Sequence, residues 1–429
     1  MQGQALPGFR DFYPAEAALR NHIFRVWRDV AARYGFEEYD GPPLEPLELY
    51  TEKSGDEIVG QLYEFADKGG RRVALRPEMT PTLARMVAAR ATAWKKPIRW
   101  FSLPQLFRYE RQQRGRLREH FQLNMDLIGE SGPLADAEIA AAALDILRAF
   151  GFGPETVRLR LSDRRVVVGL VRHAGVSDAH VPLAYAAIDK IERDPADVLA
   201  ERLVAGGIPA AAAERVLAVG RLRGRAALET ALATVPAGDD LAEGLFACVD
   251  ALTQMGLGDF VDLDLSIVRG LAYYTGPVFE LFDTARSLRA ICGGGRYDGL
   301  LKALGGVDLP AVGFGMGDVV LGELIASRMP AGPTGRAVGA FLVAVGSEDV
   351  PHVLALAHRL RDAGIGVEFA LKEQGVGKQL KLAAARGAGR AVIVGPGERA
   401  EGVAVVRDLA TGAEQRIAVE RIQDALANL

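Results

Sequence analysis

Two short stretches near the middle of the chain restrict its folding more than any other. Residues 267–280 read Ile-Val-Arg-Gly-Leu-Ala-Tyr-Tyr-Thr-Gly-Pro-Val-Phe-Glu, and residues 292–300 read Cys-Gly-Gly-Gly-Arg-Tyr-Asp-Gly-Leu. Arg269, the Tyr273-Tyr274 pair, a glycine run and a second Arg-Tyr at 296–297 lie close in sequence, so adjacent strands can bring them to one pocket. Glycines 293–295 allow backbone to approach a ligand closely. Such a pocket suits a small polar molecule together with an anion. The same letters also spell a strand, a turn and core aromatics, so a short motif alone does not decide between the two.

A second stretch lies upstream. Residues 107–129 place five arginines in a segment that turns near Gly115. Side chains alternate along a strand, which would put Arg108 and Glu110 on one face. The planar guanidinium fork of Arg108 fits phosphate or carboxylate, and Glu110 can accept from an amino group such as that of adenine. A solvated basic hairpin or an RNA-binding loop is the plain alternative.

The rest of the chain supplies a frame for both stretches. At 429 residues it exceeds what one core organises, and two or three domains are expected. From Pro14 the apolar positions Leu19, Ile23, Val26, Trp27, Val30 and Tyr34 recur at helical spacing, ending at Gly35. Tyr63–Asp67 and Val73–Glu78 read as a hairpin around Gly69-Gly70. Helical character returns between Pro81 and Ala93, and Ile98–Glu110 reads as strand interrupted by turn. Strands follow one another without the helical crossovers of a parallel sheet, so an α+β class with an antiparallel sheet and flanking helices is expected.

Residues from about 166 to 255 are rich in Ala, Leu and Arg and read as a helical insertion. Ser327–Arg336, dense in Pro and Gly, is the linker candidate. This divides the chain into 1–330 and 331–429. Beyond the linker, apolar runs at Val338–Val345, Ile365–Leu371 and Ala391–Val394 alternate with helices through Val353–Leu360 and Lys378–Ala385. A hairpin turns at Thr411-Gly412, and together these give a small α/β domain.

Composition excludes several classes. Hydrophobic residues at 49% and charged residues at 25% rule out a disordered chain. A formal net charge of −4 means that any nucleic acid must be met by local basic clusters. Two cysteines, Cys248 and Cys292, are too few for a disulfide framework or a four-ligand zinc site, so no structural metal is expected and a reducing cytoplasm fits. No run reaches the ~18 apolar residues of a membrane span, and no signal-like segment opens the chain.

Residues 267–280 with 292–300 resemble the two signature motifs of histidyl-tRNA synthetases, and 107–129 resembles motif 2 of class II aminoacyl-tRNA synthetases. The resemblance extends to Leu6–Asp11, to Pro43 in a motif-1-like segment, to Arg76-Pro-Glu-Met-Thr80 and to an anticodon-binding-like C-terminal domain. It implies an aminoacyl-tRNA ligase that joins histidine to tRNA(His) using ATP with Mg2+, as a cytoplasmic homodimer. Arg108 and Arg269 would serve the reacting phosphate. Glu78, Thr80 and Gln122 would hold the substrate α-amino group, and Asp126, Tyr273 and Tyr274 the imidazole. ATP would meet Arg108, Glu110, Arg116, His120 and Phe121, and the tRNA acceptor end would meet Arg111, Gln113 and Arg114. Lys378, Lys381, Arg386 and Arg390 form a modest basic patch in the C-terminal domain, which also reads as a solvated face. Glu78 and Thr80 also read as a helix-capping pair.

Three positions depart from the family pattern. Ala272 replaces an aspartate before the tyrosine pair. His120 replaces the aromatic that stacks on adenine, with Phe121 adjacent as a substitute. Val320 stands where motif 3 ends in an arginine for the terminal phosphate, and Arg116, alone or with Arg118, is expected to compensate. The rival reading is a non-catalytic histidine-sensing paralogue of the ATP phosphoribosyltransferase regulatory-subunit type. A synthetase for glycine, proline or threonine is disfavoured by Asp126 and the tyrosine pair.

Overall fold

A computed structural model describes residues 3, 5–51, 60–111, 113, 115–236, 238–268, 273–328 and 338–427. The chain divides into two compact units, Met1–Gly332 and Pro333–Leu429. Most of the proposed linker, and also Arg269, Ala272 and Arg114, lie outside the described residues. Ser327 and Arg328 end a helix, Asp318–Arg328.

The first unit is built on a nine-stranded sheet. In spatial order its strands are Glu37–Glu38, Ile98–Ser102, Glu119–Ile128, Ala311–Gly317, Cys292–Arg296, Pro277–Asp283, Val157–Asp163 and Val261–Leu263. Gln105–Phe107 pairs with the start of Glu119–Ile128. All pairings are antiparallel except the two outermost, Glu37–Glu38 with Ile98–Ser102 and Val157–Asp163 with Val261–Leu263. The sheet is therefore mixed, with an antiparallel centre.

Glu119–Ile128 divides the molecule by its alternation. Leu123, Met125 and Leu127 are buried in one hydrophobic cluster with Trp27 and Val30 of helix Pro14–Arg33 and with Ala140, Ala143 and Leu144 of helix Pro133–Ala149. The alanines let that second helix lie close against the sheet. The intervening side chains face the other way. Among the described residues from 164 to 254 the segments are helical, from Arg164–His173 to Gly238–Gln254.

A separate three-stranded sheet contains the hairpin Tyr63–Ala66 and Arg72–Leu75, with Leu44–Pro46 on its far side. Gly70 takes φ +81° in its turn, where a side chain would strain the backbone.

The second unit has strand order Val367–Phe369, Ala340–Ala344, Arg390–Val394, Val403–Asp408, Glu414–Ala418. The first three are parallel and the last two form the antiparallel hairpin at Thr411-Gly412. Gln379 of helix Val376–Ala385 is buried and bonds to both backbone groups of Ala344. No described helix is long and apolar enough to cross a membrane.

Candidate functional site

The cleft of the first unit has two lobes that share Arg108, Glu110, Arg116, Gln122, Gly293 and Gly315. The larger encloses about 710 Å³ and the smaller about 330 Å³. The floor is the outward stripe of Glu119–Ile128: His120 faces the larger lobe, Gln122 both, and Asn124 and Asp126 the smaller. A period of two thus lays a track from one lobe to the other.

Small residues opposite this stripe make room for it. A methyl group at Gly313 would fall 2.2 Å from the Asp126 carboxylate, and one at Gly315 would fall 2.9 Å from the Gln122 amide carbon. Of the run 293–295, only Gly293 lines the cleft. Gly294 lies in register between Phe279 and Phe314, where a methyl group would come within 2.4 Å of the Gly313 carbonyl oxygen. Packing, and not ligand approach, requires that glycine.

The smaller lobe is lined by Glu78, Thr80, Asp126, Tyr273, Tyr274 and Tyr297. Thr80 opens helix Thr80–Ala89, but Met79 is its cap residue and no side chain caps it, so the capping alternative does not hold. Arg76 holds this turn, bonding from inside the protein to Asp40, the Gly41 carbonyl and the Gln105 carbonyl. Tyr297 donates its hydroxyl to Asp126, and the Tyr273 and Tyr274 rings lie 4.8 Å apart. Burial pushes Asp126 up to about 7, against the downward pull of the Tyr297 hydrogen bond. Tyr297 joins the predicted residues as a buried member of the site.

The larger lobe is rich in arginine. Arg108 follows strand Gln105–Phe107 and is not part of it, so the expected strand geometry for Arg108 and Glu110 is corrected. Both residues reach the cleft from an irregular segment pinned by the Arg108 amide on the Arg118 carbonyl. Arg108 Nε donates to the Pro77 carbonyl at 2.9 Å, and its terminal nitrogens remain toward the cavity, one of them 3.9 Å from Glu110. Arg116 pairs with Glu110. Burial, with Arg108, Arg10 and Arg116 nearby, lowers His120 to about 3, so its imidazole is neutral at physiological pH.

Phe121 and Arg118 do not reach this lobe. Phe121 lies on the opposite face of the strand from His120, against Phe12 and Phe24 at 6.1 and 5.1 Å, and does not line the larger lobe. Arg118 sits over the Tyr109 ring at 4.2 Å and gives its Nε to the Glu110 carbonyl, outside the cavity lining. The second Arg-Tyr also divides: Tyr297 enters the cleft, while Arg296 turns into the core and grips Asp136.

Arg111 and Gln113 are exposed and outside both lobes. Ile267 and Val268 line the larger lobe and Tyr273 the smaller, on either side of the undescribed Arg269. Val261–Leu263 leads toward that segment, and Asp264 just beyond it accepts from Arg160, Arg223 and the backbone and hydroxyl of Ser266. Glu192, from the helical insertion, joins the same cluster. Its hydrogen bonds with Arg160 above all hold it down to about 2. Arg10 bonds Glu119 and Asp318, and Asp318 accepts the Phe121 amide, so the N-terminal segment anchors the start of the floor strand.

In the second unit the basic patch narrows. Arg386 pairs with Glu368 at 3.4 Å and Arg390 with Asp408, leaving exposed Lys378 and Lys381. Among the described residues no group of three or more His, Cys, Asp or Glu is arranged to hold a metal ion.

This arrangement coincides with what the chain is similar to. A family model described as histidyl-tRNA synthetase matches residues 8–317, and one described as an anticodon binding domain matches 340–429. A histidine–tRNA ligase of Opitutus terrae is 48% identical over 428 residues, covering 98% of this chain and 97% of that protein. A crystal structure of histidyl-tRNA synthetase from Nostoc sp. PCC 7120 shares the fold with a TM-score of 0.85 at 24% identity, covering 100% of this chain and 99% of that one. A structure from Bacillus halodurans described as an ATP phosphoribosyltransferase regulatory subunit/histidyl-tRNA synthetase gives 0.77 at 22% identity, covering 92% and 99%. At that identity only the fold is shared, so it does not favour a sensor.

Proposed function

The chain belongs to the histidyl-tRNA synthetase family, a family of aminoacyl-tRNA ligases, and from that premise we propose how its cleft works. Histidine occupies the smaller lobe and ATP the larger, and the carboxylate attacks the α-phosphate at the boundary, where Arg108 and Arg116 line both, breaking the bond to the β-phosphate and releasing pyrophosphate. A hydroxyl at the 3′ end of tRNA(His) then takes the histidyl group from the adenylate, releasing AMP. The observation that carries this reading is the stripe Asp126, Gln122, His120, which joins an acid-and-tyrosine lobe to an arginine lobe.

Each group has one physical task. The attacking carboxylate is already ionised at neutral pH, so activation needs no general base. It needs fixed cations where negative charge accumulates, which is the role of Arg108 and, by resemblance, Arg269. Glu78, Thr80 and Gln122 take the α-amino group. Asp126, with Tyr273, Tyr274 and Tyr297, takes the imidazole, and an apolar side chain there would leave buried polar groups unpaired. Glu110 accepts from the adenine amino group, and neutral His120 offers a ring face. Mg2+ arrives with the nucleotide and needs only one or two carboxylates beside phosphate and water. Glu280, which lines the larger lobe, fits that requirement.

Arg111, Gln113 and Arg114 would meet the tRNA acceptor end, and Lys378 and Lys381 its phosphates. Exposed Leu44 and Phe65 on the three-stranded sheet support a homodimer through the motif-1-like region. A cytoplasmic location is proposed for the enzyme.

Histidine-dependent ATP–pyrophosphate exchange tests the whole reading: a ligase supports it, a sensor does not, and a synthetase for another amino acid responds to that amino acid instead. Within that assay, Arg116→Ala is expected to raise KM for ATP about 10-fold, the worth of one charge-assisted hydrogen bond. An unchanged KM removes Arg116 from the nucleotide lobe.

The pH dependence tests Asp126. Its ionised form, the acceptor, is present above about 7 and is lost as pH falls. Histidine's own imidazole protonates near 6.5. On the acid side kcat/KM for histidine, which reports free enzyme and free substrate, is therefore expected to fall with two protons. Asp126→Asn lowers kcat/KM about 10- to 100-fold and leaves a one-proton limb. Equal steepness in both enzymes would show that Asp126 does not titrate against substrate.

A further inference from the structure

Val320 leaves the larger lobe without the arginine that motif 3 resemblance leads one to expect, yet the cation has not been lost from that place. A methyl group built at Gly115 would lie 3.4 Å from Val320 Cγ2 and 3.7 Å from Arg289 Cδ, so the two side chains flank one point of the cavity wall. Both line the larger lobe. We propose that Arg289, from the loop between strands Pro277–Asp283 and Cys292–Arg296, binds the terminal phosphate of ATP in place of an arginine at 320.

Three observations support the assignment, which rests on the function proposed above. First, apart from Arg108 at the lobe boundary, the other arginines of the lobe already have an acidic partner. Arg116 pairs with Glu110, Arg160 with Asp264 and Glu192, Arg193 with Asp189 and Arg286 with Glu192. Arg289 forms no ion pair among the described residues. Burial above all, with the Arg116 and Arg193 cations, draws its pKa down, while Glu110 and Glu280 act in the opposite sense. Two guanidinium groups that repel each other across a cavity make a site for a polyanion.

Second, the loop is held from within. Buried Asp283 accepts from the Ser287 amide and hydroxyl and from the Leu288 amide, and the Ile291 amide returns to the Leu281 carbonyl. Arg289 therefore projects from a fixed backbone, the preorganisation that makes a charged donor effective.

Third, the track on the floor strand sets direction. Asp126 lies in the smaller lobe, Arg108 at the boundary, and Arg289 with Val320 belongs to the larger lobe alone. A triphosphate with its α-phosphate at Arg108 extends its far end into that lobe. Arg118 does not line the lobe, so the expected partner of Arg116 is replaced by Arg289.

The test compares nucleotides that differ only in their terminal phosphates. Equilibrium binding of ATP and of AMP is measured on the full chain, together with histidine-dependent ATP–pyrophosphate exchange. Arg289→Ala is expected to weaken ATP about 10- to 100-fold and AMP less than twofold, with KM for histidine unchanged. Arg289→Lys should recover part of the loss, because an ammonium keeps the charge without the fork. The double variant Arg289→Ala/Val320→Arg should recover ATP binding, an outcome that a structural role for Arg289 would not produce. If the single variant leaves ATP binding unchanged, or weakens ATP and AMP alike, the assignment is wrong while the function stands. Absence of histidine-dependent exchange in the unaltered protein would instead overturn the function itself.

Discussion

Replacing Arg108 by alanine is expected to lower histidine-dependent ATP–pyrophosphate exchange by about 10²–10³ in turnover, the usual effect of removing one preorganised donor from a developing charge. Arg108 is held at one side only: its Nε goes to the Pro77 carbonyl, and its backbone amide to the Arg118 carbonyl. The terminal nitrogens remain for ligand, with the Glu110 carboxylate 3.9 Å from one of them. The guanidinium is thus oriented before substrate arrives, and orientation costs nothing at the moment of reaction. Arg108→Lys should restore little, because a point charge cannot donate in parallel to a carboxylate and a phosphate. The side chain is half-buried and its loss opens no core cavity, so the unfolding temperature should stay within a few degrees of the parent. Exchange within threefold of the parent would place the reacting phosphate elsewhere in the cleft.

The parts of this site that could be read from the sequence are those fixed by local rules. Helix Pro14–Arg33 and the hairpin Tyr63–Leu75 follow from periodicity and from glycine at the turn. Resemblance points to Asp126 and Gln122, and the alternation of one strand carries them to the same face. That alternation also excludes Phe121, whose adjacency in sequence to His120 does not put it on the same face.

What local pattern does not contain is register between distant strands. Glu119–Ile128 pairs with Ala311–Gly317, and only that pairing shows why Gly313 must lack a side chain. Arg10 meets Glu119 and Asp318, which lie 109 and 308 residues away, and no motif announces it. The same holds for Arg289, whose closeness to Val320 is made by the Asp283 loop and not by sequence spacing.

Arg296 shows the converse case, a residue whose motif suggested ligand binding and whose surroundings assign it to the core. Its Nε and Nη2 grip Asp136, Nη1 reaches the Glu130 carbonyl, and Nη2 also reaches the Gly132 carbonyl at 3.2 Å. Both charged side chains are almost completely buried, at 3% and 5% exposure. Arg296→Ala should therefore destabilise the first unit by about 3–5 kcal/mol, because it strands a buried carboxylate. Replacing both partners, Arg296→Met with Asp136→Leu, should return most of that loss, since a buried ion pair adds little over an apolar pair of similar size. Chemical denaturation of the single and double variants measures both.

The sign of the pH effect follows from the carboxyl. Burial raises Asp136 to about 6 in spite of the guanidinium beside it, so between its ordinary value and 6 the folded protein holds a proton that the unfolded chain releases. Stability falls as pH rises through that window. The arginine helps only once the acid is ionised, so the cost of Arg296→Ala should be larger at pH 8 than at pH 5, where the lone carboxyl takes a proton. A cost independent of pH would mean that Arg296 acts through packing and not through charge. The site would feel the same loss, because the strand ending at Arg296 brings Gly293 to the cleft and Tyr297 to Asp126. A rise in KM for histidine is therefore expected to accompany the fall in stability.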